Sequence, residues 1–268
     1  VTSLFGTRLP LVAAPMAGGG SSPELIKAAT AAGAFAFLPG GYVTSTGLAR
    51  EIAELKAAGL RFGVNLFKVS PTALTPAVTV TTVDEARAAA AQGVDLLVVQ
   101  GSAAGGHGAV HDPARELTDT PTPTLVREVA GACALPLIAG GGVDGPRAVS
   151  EILAAGARAV AVGTLLLRSH ESGASRTHKD ALADPRFTET VLTRAFTGRP
   201  ARGLLNGFIA RHEATAPLGY PAVHHLTAGL RRAAAAAGDP DRVHLWAGTG
   251  FRAAAPQAAA TLLTSLVV

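Results

Sequence analysis

The residues best suited by type and spacing to do chemistry stand in one loop. Val98-Val99-Gln100-Gly101 reads as the end of an apolar strand and runs into Ser102-Ala103-Ala104-Gly105-Gly106-His107-Gly108. Glycines flank His107 on both sides, so side-chain packing does little to explain it. A neutral imidazole can take a proton near pH 7, which makes His107 the candidate base. Gln100 closes the strand at the mouth where such a base would work.

Two further loops follow strands in the right order to hold an anion. Ala139-Gly140-Gly141-Gly142-Val143 follows one strand and Val162-Gly163-Thr164 the next. Backbone N–H groups in such turns form an anion site. Ala14-Pro15-Met16-Ala17-Gly18-Gly19-Gly20 follows the first strand, where glycines let a ligand lie against the backbone or simply make a flexible turn. Asn65, inside the apolar run Gly63-Val64-Asn65-Leu66-Phe67, must find a hydrogen-bond partner: the edge of a heterocycle, or a neighbouring loop. The segment Thr197-Gly198-Arg199-Pro200-Ala201-Arg202-Gly203-Leu204-Leu205-Asn206 carries two arginines spaced by three. Ordering a loop through carboxylate pairs is the favoured role, and contact with an anion the alternative. Trp246-Ala247-Gly248-Thr249-Gly250 resembles another ligand-facing loop, with low specificity.

Other chemistries lack their residues. No HExxH, Cys/His cluster or paired carboxylates supports a metal, and His224-His225 is an adjacent pair without further ligands. No GxSxG elbow is present. Gly18-Gly19-Gly20 lacks the acidic partner of a dinucleotide fingerprint. The single cysteine, Cys133, precludes an internal disulfide and reads as a packing residue. The net charge of +4 comes from scattered arginines rather than a basic stripe, which argues against nucleic acid. With no apolar stretch of 18 residues and no visible signal peptide, the expectation is a cytoplasmic protein without a membrane span.

These loops need a frame. At 268 residues and 48% hydrophobic, the chain can build one large α/β domain. Strands are expected at Leu9–Pro15, Ala34–Leu38, Arg61–Phe67, Ala77–Thr81, Asp95–Gln100, Leu135–Ala139 and Arg158–Val162. Helices are expected at Pro23–Ala32, Ser45–Ala58, Val83–Gln92, Thr122–Ala132 and Gly145–Ala155. Continuous Val/Ile/Leu runs alternating with helices give a parallel sheet, closed or doubly wound. In a (β/α) barrel, function sits on the loops after the strands' carboxyl ends. Seven strands are counted where eight close such a barrel, and Lys68–Pro76 is too short for a helical crossover. Beyond residue 169, His178–Ala183, Gly203–Glu213, Ala222–Ala237 and Pro256–Val267 read as helices. The domain expectation is a barrel core over 1–168 and a mainly helical region over 169–268 that caps or flanks it.

Taken in order, these motifs resemble the nitronate monooxygenase family, most specifically in Ala104-Gly105-Gly106-His107 and Gly198-Arg199-Pro200-Ala201-Arg202-Gly203, and also in Glu171-Ser172. The resemblance implies a TIM-like (β/α)8 barrel holding non-covalent FMN. It implies a flavin ring near Ala14, Pro15, Met16, Asn65, Gln100, Gly105 and Gly106, and a phosphate on Gly141, Gly142, Gly163 and Thr164. His107 would be the base that removes the proton alpha to a nitro group, or that positions an anionic nitronate; the substrates would be an alkyl nitronate or nitroalkane and O2. Two alternatives stay open: an FMN-dependent NAD(P)H enoyl or quinone reductase on the same scaffold, and a barrel that binds a phosphorylated ligand without redox turnover. The oligomeric state is open, a homo-oligomer included. The sequence departs from the family's Gly-x-Glu-Ala-Gly-Gly-His-Arg-Gly at Ala103, in the Glu place, and at Gly108, in the Arg place. It is also short by about one βα unit after residue 67.

Overall fold

The computed structural model describes residues 4–66, 77–115 and 117–267. Phe67 and the Lys68–Pro76 interval therefore lie outside the described residues. The main sheet has seven parallel strands: β1 (Leu11–Ala13), β2 (Phe35–Pro39), β3 (Gly63–Asn65), β4 (Ala77–Val80), β5 (Leu96–Gln100), β7 (Leu137–Gly140) and β8 (Ala159–Val162). Their order is β3-β2-β1-β8-β7-β5-β4, so within the main sheet each strand except the pair β3 and β4 lies beside its neighbour in sequence, and β1 joins β8. That is the circular order of a TIM-like barrel, curled and, among the described residues, open between β3 and β4. The open edge falls where the sequence is short of a βα unit.

Helices α1 (Pro23–Ala31), α2 (Ser45–Ala57), α3 (Val83–Ala91), α4 (Thr122–Ala132) and α5 (Pro146–Ala154) form the crossovers. Ser22 caps α1 by accepting from Leu25 N–H, with Pro23 in the first turn, and Gly59, Gly93 and Gly156 follow α2, α3 and α5 at positive φ. Strand residues alternate between two cores. Leu11, Leu97, Val99, Leu137 and Val160 pack outward on Leu25, Ile26, Leu125, Val126 and Ile152 of the helices. Val12, Ile138 and Ala159 point inward, over Phe5, Phe35 and Phe37. Phe5 and Phe35 stack at 3.9 Å and fill the barrel floor. By the same alternation Asn65, Gln100 and Gly140 face the interior, at the strands' carboxyl ends.

The second half corrects one expectation. Gly203–Glu213 is not a continuous helix. It divides into strand β10 (Ala201–Leu204), a break at Asn206, and helix α7 (Gly207–His212). β10 pairs antiparallel with β9 (Thr190–Thr193) and with β6 (Gly106–His107), so a three-stranded sheet lies in a region whose sequence reads as helices. Helices α6 (Arg176–Ala181) and α8 (Ala222–Ala237) surround it with a core of Leu167, Leu182, Phe187, Leu204, Leu245 and Phe251. The last helix, α9 (Ala259–Ser265), returns to the barrel: Leu262 and Leu263 join its outer core and α9 packs on α1. α9 is thus the crossover-type helix of β8, and residues 169–258 are inserted before it.

Candidate active site

His107 is held by its backbone as much as by its ring. Residues Gly106 and His107 form β6, with His107 opposite Ala201 and Gly106 opposite Arg202. Gly106 adopts φ +79°, in the region open chiefly to glycine. A Cβ at Gly105 would lie 2.6 Å from the backbone of Ala247 and Gly248, so this loop must be glycine for the 246–250 turn to pack on it.

Three side chains then fix the loop through its carbonyls. Arg199 donates from Nε to Gly108 O (3.1 Å) and from Nη2 to Val110 O (2.7 Å). Arg202 donates from Nε to Ser102 O (2.7 Å) and from Nη1 to Thr190 O (3.2 Å). The loop-ordering role expected for the two arginines is found, but their partners are carbonyls rather than carboxylates. Gln100 donates from Nε2 to His107 O (3.0 Å) and accepts from Ala109 N–H (2.7 Å). Both ends of its amide therefore engage the histidine loop.

The ring of His107 sits in an aromatic and cationic pocket. Nε2 lies 2.9 Å from Thr197 Oγ1. Tyr220 meets the ring edge-on at 5.3 Å and Trp246 lies at 5.6 Å. Tyr220 shares a 3.0 Å hydroxyl contact with Tyr42, which stacks on His224 at 4.1 Å. Arg231 donates to His224 O (2.7 Å) and contacts His224 Nδ1 at 3.3 Å. Burial, followed by the positive fields of Arg199, His224 and Arg231, pushes the His107 imidazole down to about 3. The ring is neutral at pH 7.

Glu85 holds the far end of the loop. Its carboxylate accepts from His111 N–H (2.8 Å), from the N–H and hydroxyl of Thr81 (2.7 Å each) and from Arg115 (2.9 Å). Burial raises the pKa of this carboxyl, but those hydrogen bonds outweigh it and the net shift is downward.

The glycine loops converge on the same mouth. Gly141 and Gly142 have φ +130° and +74°. A Cβ on Gly142 would come within 3.1 Å of Ala103 Cβ, and one on Gly163 within 3.5 Å of Ala14 Cβ and 3.7 Å of Met16 Sδ. The loops after β1, β5, β7 and β8 therefore border one space. Among the described residues, no loop carbonyl accepts from the N–H of Gly141, Gly142 or Thr164. Thr164 Oγ1 accepts from Gly248 N–H (2.9 Å), which brings the 246–250 turn beside them. Pro15 lies in this first loop, and Met16 N–H donates to Ser21 Oγ (2.9 Å). Asn65 stands apart, on the barrel's edge strand, where its carbonyl accepts from Gly40 N–H (2.7 Å). Asn206 is structural: its side chain accepts from Ile209 N–H as the cap of α7 and donates to Pro240 O and Val243 O. Ser172 and Glu171 brace the frame, Ser172 Oγ on Gly20 O and Glu171 Oε2 on Ala259 N–H. Among the described residues no cluster of three His, Cys, Asp or Glu could hold a metal ion, and no helix is long and apolar enough to cross a membrane.

Tyr42, Tyr220, His224 and Arg231 carried no sequence signal that tied them to His107. They come from two separate loops and from α8, and only the tertiary fold assembles them. Thr197 borders the Gly-Arg-Pro-Ala-Arg-Gly segment, and that adjacency was its one clue.

Comparison with known proteins places this geometry. The nitronate monooxygenase family model matches residues 1–78 and 70–268, two stretches that overlap at the connection between β3 and β4. A probable nitronate monooxygenase of Staphylococcus aureus (strain Newman) is 38% identical over 193 residues, which are 70% of this chain and 54% of the relative. The chain spans about half the length of the curated relatives it matches. A solved structure described as nitroalkane oxidase from Streptomyces ansochromogenes is similar at TM-score 0.90 and 36% identity, covering 97% of this chain and 95% of that one. FabK from Thermotoga maritima shares the fold at TM-score 0.80 and 24% identity, covering 97% and 92%. On these matches the chain belongs to the nitronate monooxygenase family.

Proposed function

We propose that this protein binds FMN and oxidises alkyl nitronates, and nitroalkanes, with O2, and that His107 is the base. One observation carries the reading. A neutral, partly buried imidazole is fixed at the carboxyl end of the barrel, beside a glycine-lined space whose N–H groups can receive an anion. The residues suit a phosphorylated flavin: Gly141, Gly142, Gly163 and Thr164 would take the phosphate, and Ala14, Pro15, Met16, Gly105 and Gly106 would border the ring. Asn65 would reach it only from the edge strand. Gln100 would act indirectly, through the loop it holds. The region from residue 169 onward would cover the mouth. FMN, when bound, supplies the electron acceptor that is reoxidised by O2.

His107 has its own part in this. Its proton acceptance from the carbon alpha to a nitro group creates an anion beside the new imidazolium, and that pairing offsets the low resting basicity of the ring. Arg199 and Arg231 add positive charge that favours an anionic ligand.

The test compares substrates that differ in one proton. Oxygen uptake with a nitronate needs no base; uptake with the neutral nitroalkane does. His107→Gln is expected to lower nitroalkane turnover at least about a hundredfold while nitronate turnover persists. Equal activity of the variant on both would remove the base from the reading. A purified protein without flavin absorbance that takes up no added FMN would remove the redox reading altogether. Flavin reduction by NADH or NADPH, without response to nitronate, would favour a reductase.

A further inference from the structure

We propose that Thr197 is the positioning residue for His107: its hydroxyl accepts the ring's Nε2–H, fixes that tautomer, and leaves Nδ1 as the nitrogen that presents a lone pair to substrate. The catalytic part of this statement rests on the base role proposed above; the tautomer does not.

The argument is a count of protons. A threonine hydroxyl has one hydrogen to give. Thr197 Oγ1 lies 3.2 Å from Arg199 O and 2.9 Å from His107 Nε2. The carbonyl can only accept, so the hydroxyl hydrogen belongs there, and the ring nitrogen must donate. Reversing the pair would leave Arg199 O without this donor and would point the lone pair of the ring at Thr197, away from substrate. Thr197 is fully buried, so water cannot take over either role. Among the described residues, no protein group hydrogen-bonds His107 Nδ1, and that atom is not a buried orphan.

The fold delivers this hydroxyl in one place. Thr197 sits in the turn between β9 and β10, closed by Thr197 N–H and Gly198 N–H on Arg194 O (3.2 and 2.8 Å). Gly198 has φ +73°, and a Cβ there would lie 2.8 Å from Gly219 N. The Glu213 carboxylate holds the start of the turn, accepting from the Thr193 hydroxyl, from Arg194 N–H (2.9 Å) and from Ala195 N–H (3.2 Å). A hydroxyl on such a turn can select one ring nitrogen of a histidine whose own backbone is clamped.

Long-range 1H–15N correlation spectra of the 15N-histidine-labelled protein, as purified, read the tautomer directly, with His107→Gln assigning the signals. At pH 7.5 the expected result is a protonated Nε2 and an unprotonated Nδ1 at His107. Thr197→Val should give a mixture of tautomers and lower kcat on nitroalkane by about tenfold to a hundredfold with little change in KM; Thr197→Ser should restore both. A protonated Nδ1 in the parent protein, or a Thr197→Val spectrum identical to the parent's, overturns the proposal. If Thr197→Val does not fold, the parent and Thr197→Ser spectra still decide it. The expected spectra with no nitroalkane turnover in the parent protein would sustain the tautomer and defeat only the function proposed above. The expected spectra with unchanged Thr197→Val turnover would defeat the positioning role.

Discussion

Acid should unfold this protein at a pH where most carboxylates are still charged. His107, His178 and His244 are all partly buried, and desolvation is the largest cause pushing each below the ordinary imidazole value. His107 falls to about 3 and His178 to about 4, the latter despite a partly offsetting hydrogen bond with the Trp246 backbone. His244 is well below its usual value, with Arg231 and the neighbouring histidines adding to burial. Among the described residues, His178 Nε2 and His244 Nδ1 have no hydrogen-bond partner, so apart from the Trp246 contact of His178 little is in place to stabilise a charged ring. The folded state therefore stays unprotonated at these rings while the unfolded chain takes up protons below about pH 6.5. Stability is fully present above that pH and falls as pH drops toward 4. Each histidine contributes a slope of up to about 1.4 kcal/mol per pH unit, and about 2 kcal/mol between pH 7 and pH 5. His107 and His178 together remove about 4 kcal/mol, and His244 adds in the same direction, a large part of the roughly 5–15 kcal/mol that holds a typical domain folded. Urea unfolding at pH 7.5, 6.5, 5.5 and 5.0 measures the slope. His244→Phe, placed against Phe196 and Trp246, and His178→Gln should each make the slope shallower. Equal stability at pH 7.5 and pH 5, or a slope that neither variant changes, would refute the reasoning. Glu85, whose carboxyl is held low, contributes separately, since its stabilisation is lost only as pH falls below the ordinary glutamate range.

Two further outcomes concern the loop and the cradle. Arg199→Lys keeps the charge but loses the fork on Gly108 O and Val110 O, and should cost about 2–4 kcal/mol in urea unfolding; Arg199→Met should in addition raise the His107 pKa, read by NMR titration, because Arg199 is one of the charges that depress it. Gly142→Val forces a branched side chain onto φ +74° and against Ala103, and should weaken FMN binding at least about tenfold by flavin fluorescence, whereas Gly131→Ala, in the last turn of α4 with open space around it, should leave it unchanged.

Much of the frame was legible because its signals are local. Short apolar runs marked all seven sheet strands, and the helix bounds read from the sequence fell within a residue or two for the five crossover helices. The error at Gly203–Glu213 has a physical cause. A four-residue strand has no period of its own to distinguish it from a helical turn, and its partner β6 is two residues long and half glycine. β10 exists because it pairs with β6 and β9, which no local pattern announces. The same holds for the site. His107 could be read from its glycines, but the partners of Arg199 and Arg202 are backbone carbonyls, which carry no side-chain signature. His224 looked like half of a pair with His225; in the fold its working neighbours are Tyr42 and Arg231.

The open edge between β3 and β4 need not disturb His107, and the distribution of clamps explains why. In a closed barrel, neighbouring strands on both sides brace each βα loop. Here β4 is an edge strand, only one place from the β5 that carries the histidine loop. The loop is instead tied from above by Arg199 and Arg202, which β10 and the preceding turn present, and from the side by Glu85, which binds Thr81 at the end of β4 to His111 and Arg115 of the same loop. The Glu85 cluster thus joins the edge strand to the histidine loop without needing a further strand beyond it. Asn65 stands on the other edge, and among the described residues it has no comparable set of ties. The missing unit should therefore alter what approaches the barrel mouth from the β3 side, while leaving the histidine and its hydrogen-bond partners in place.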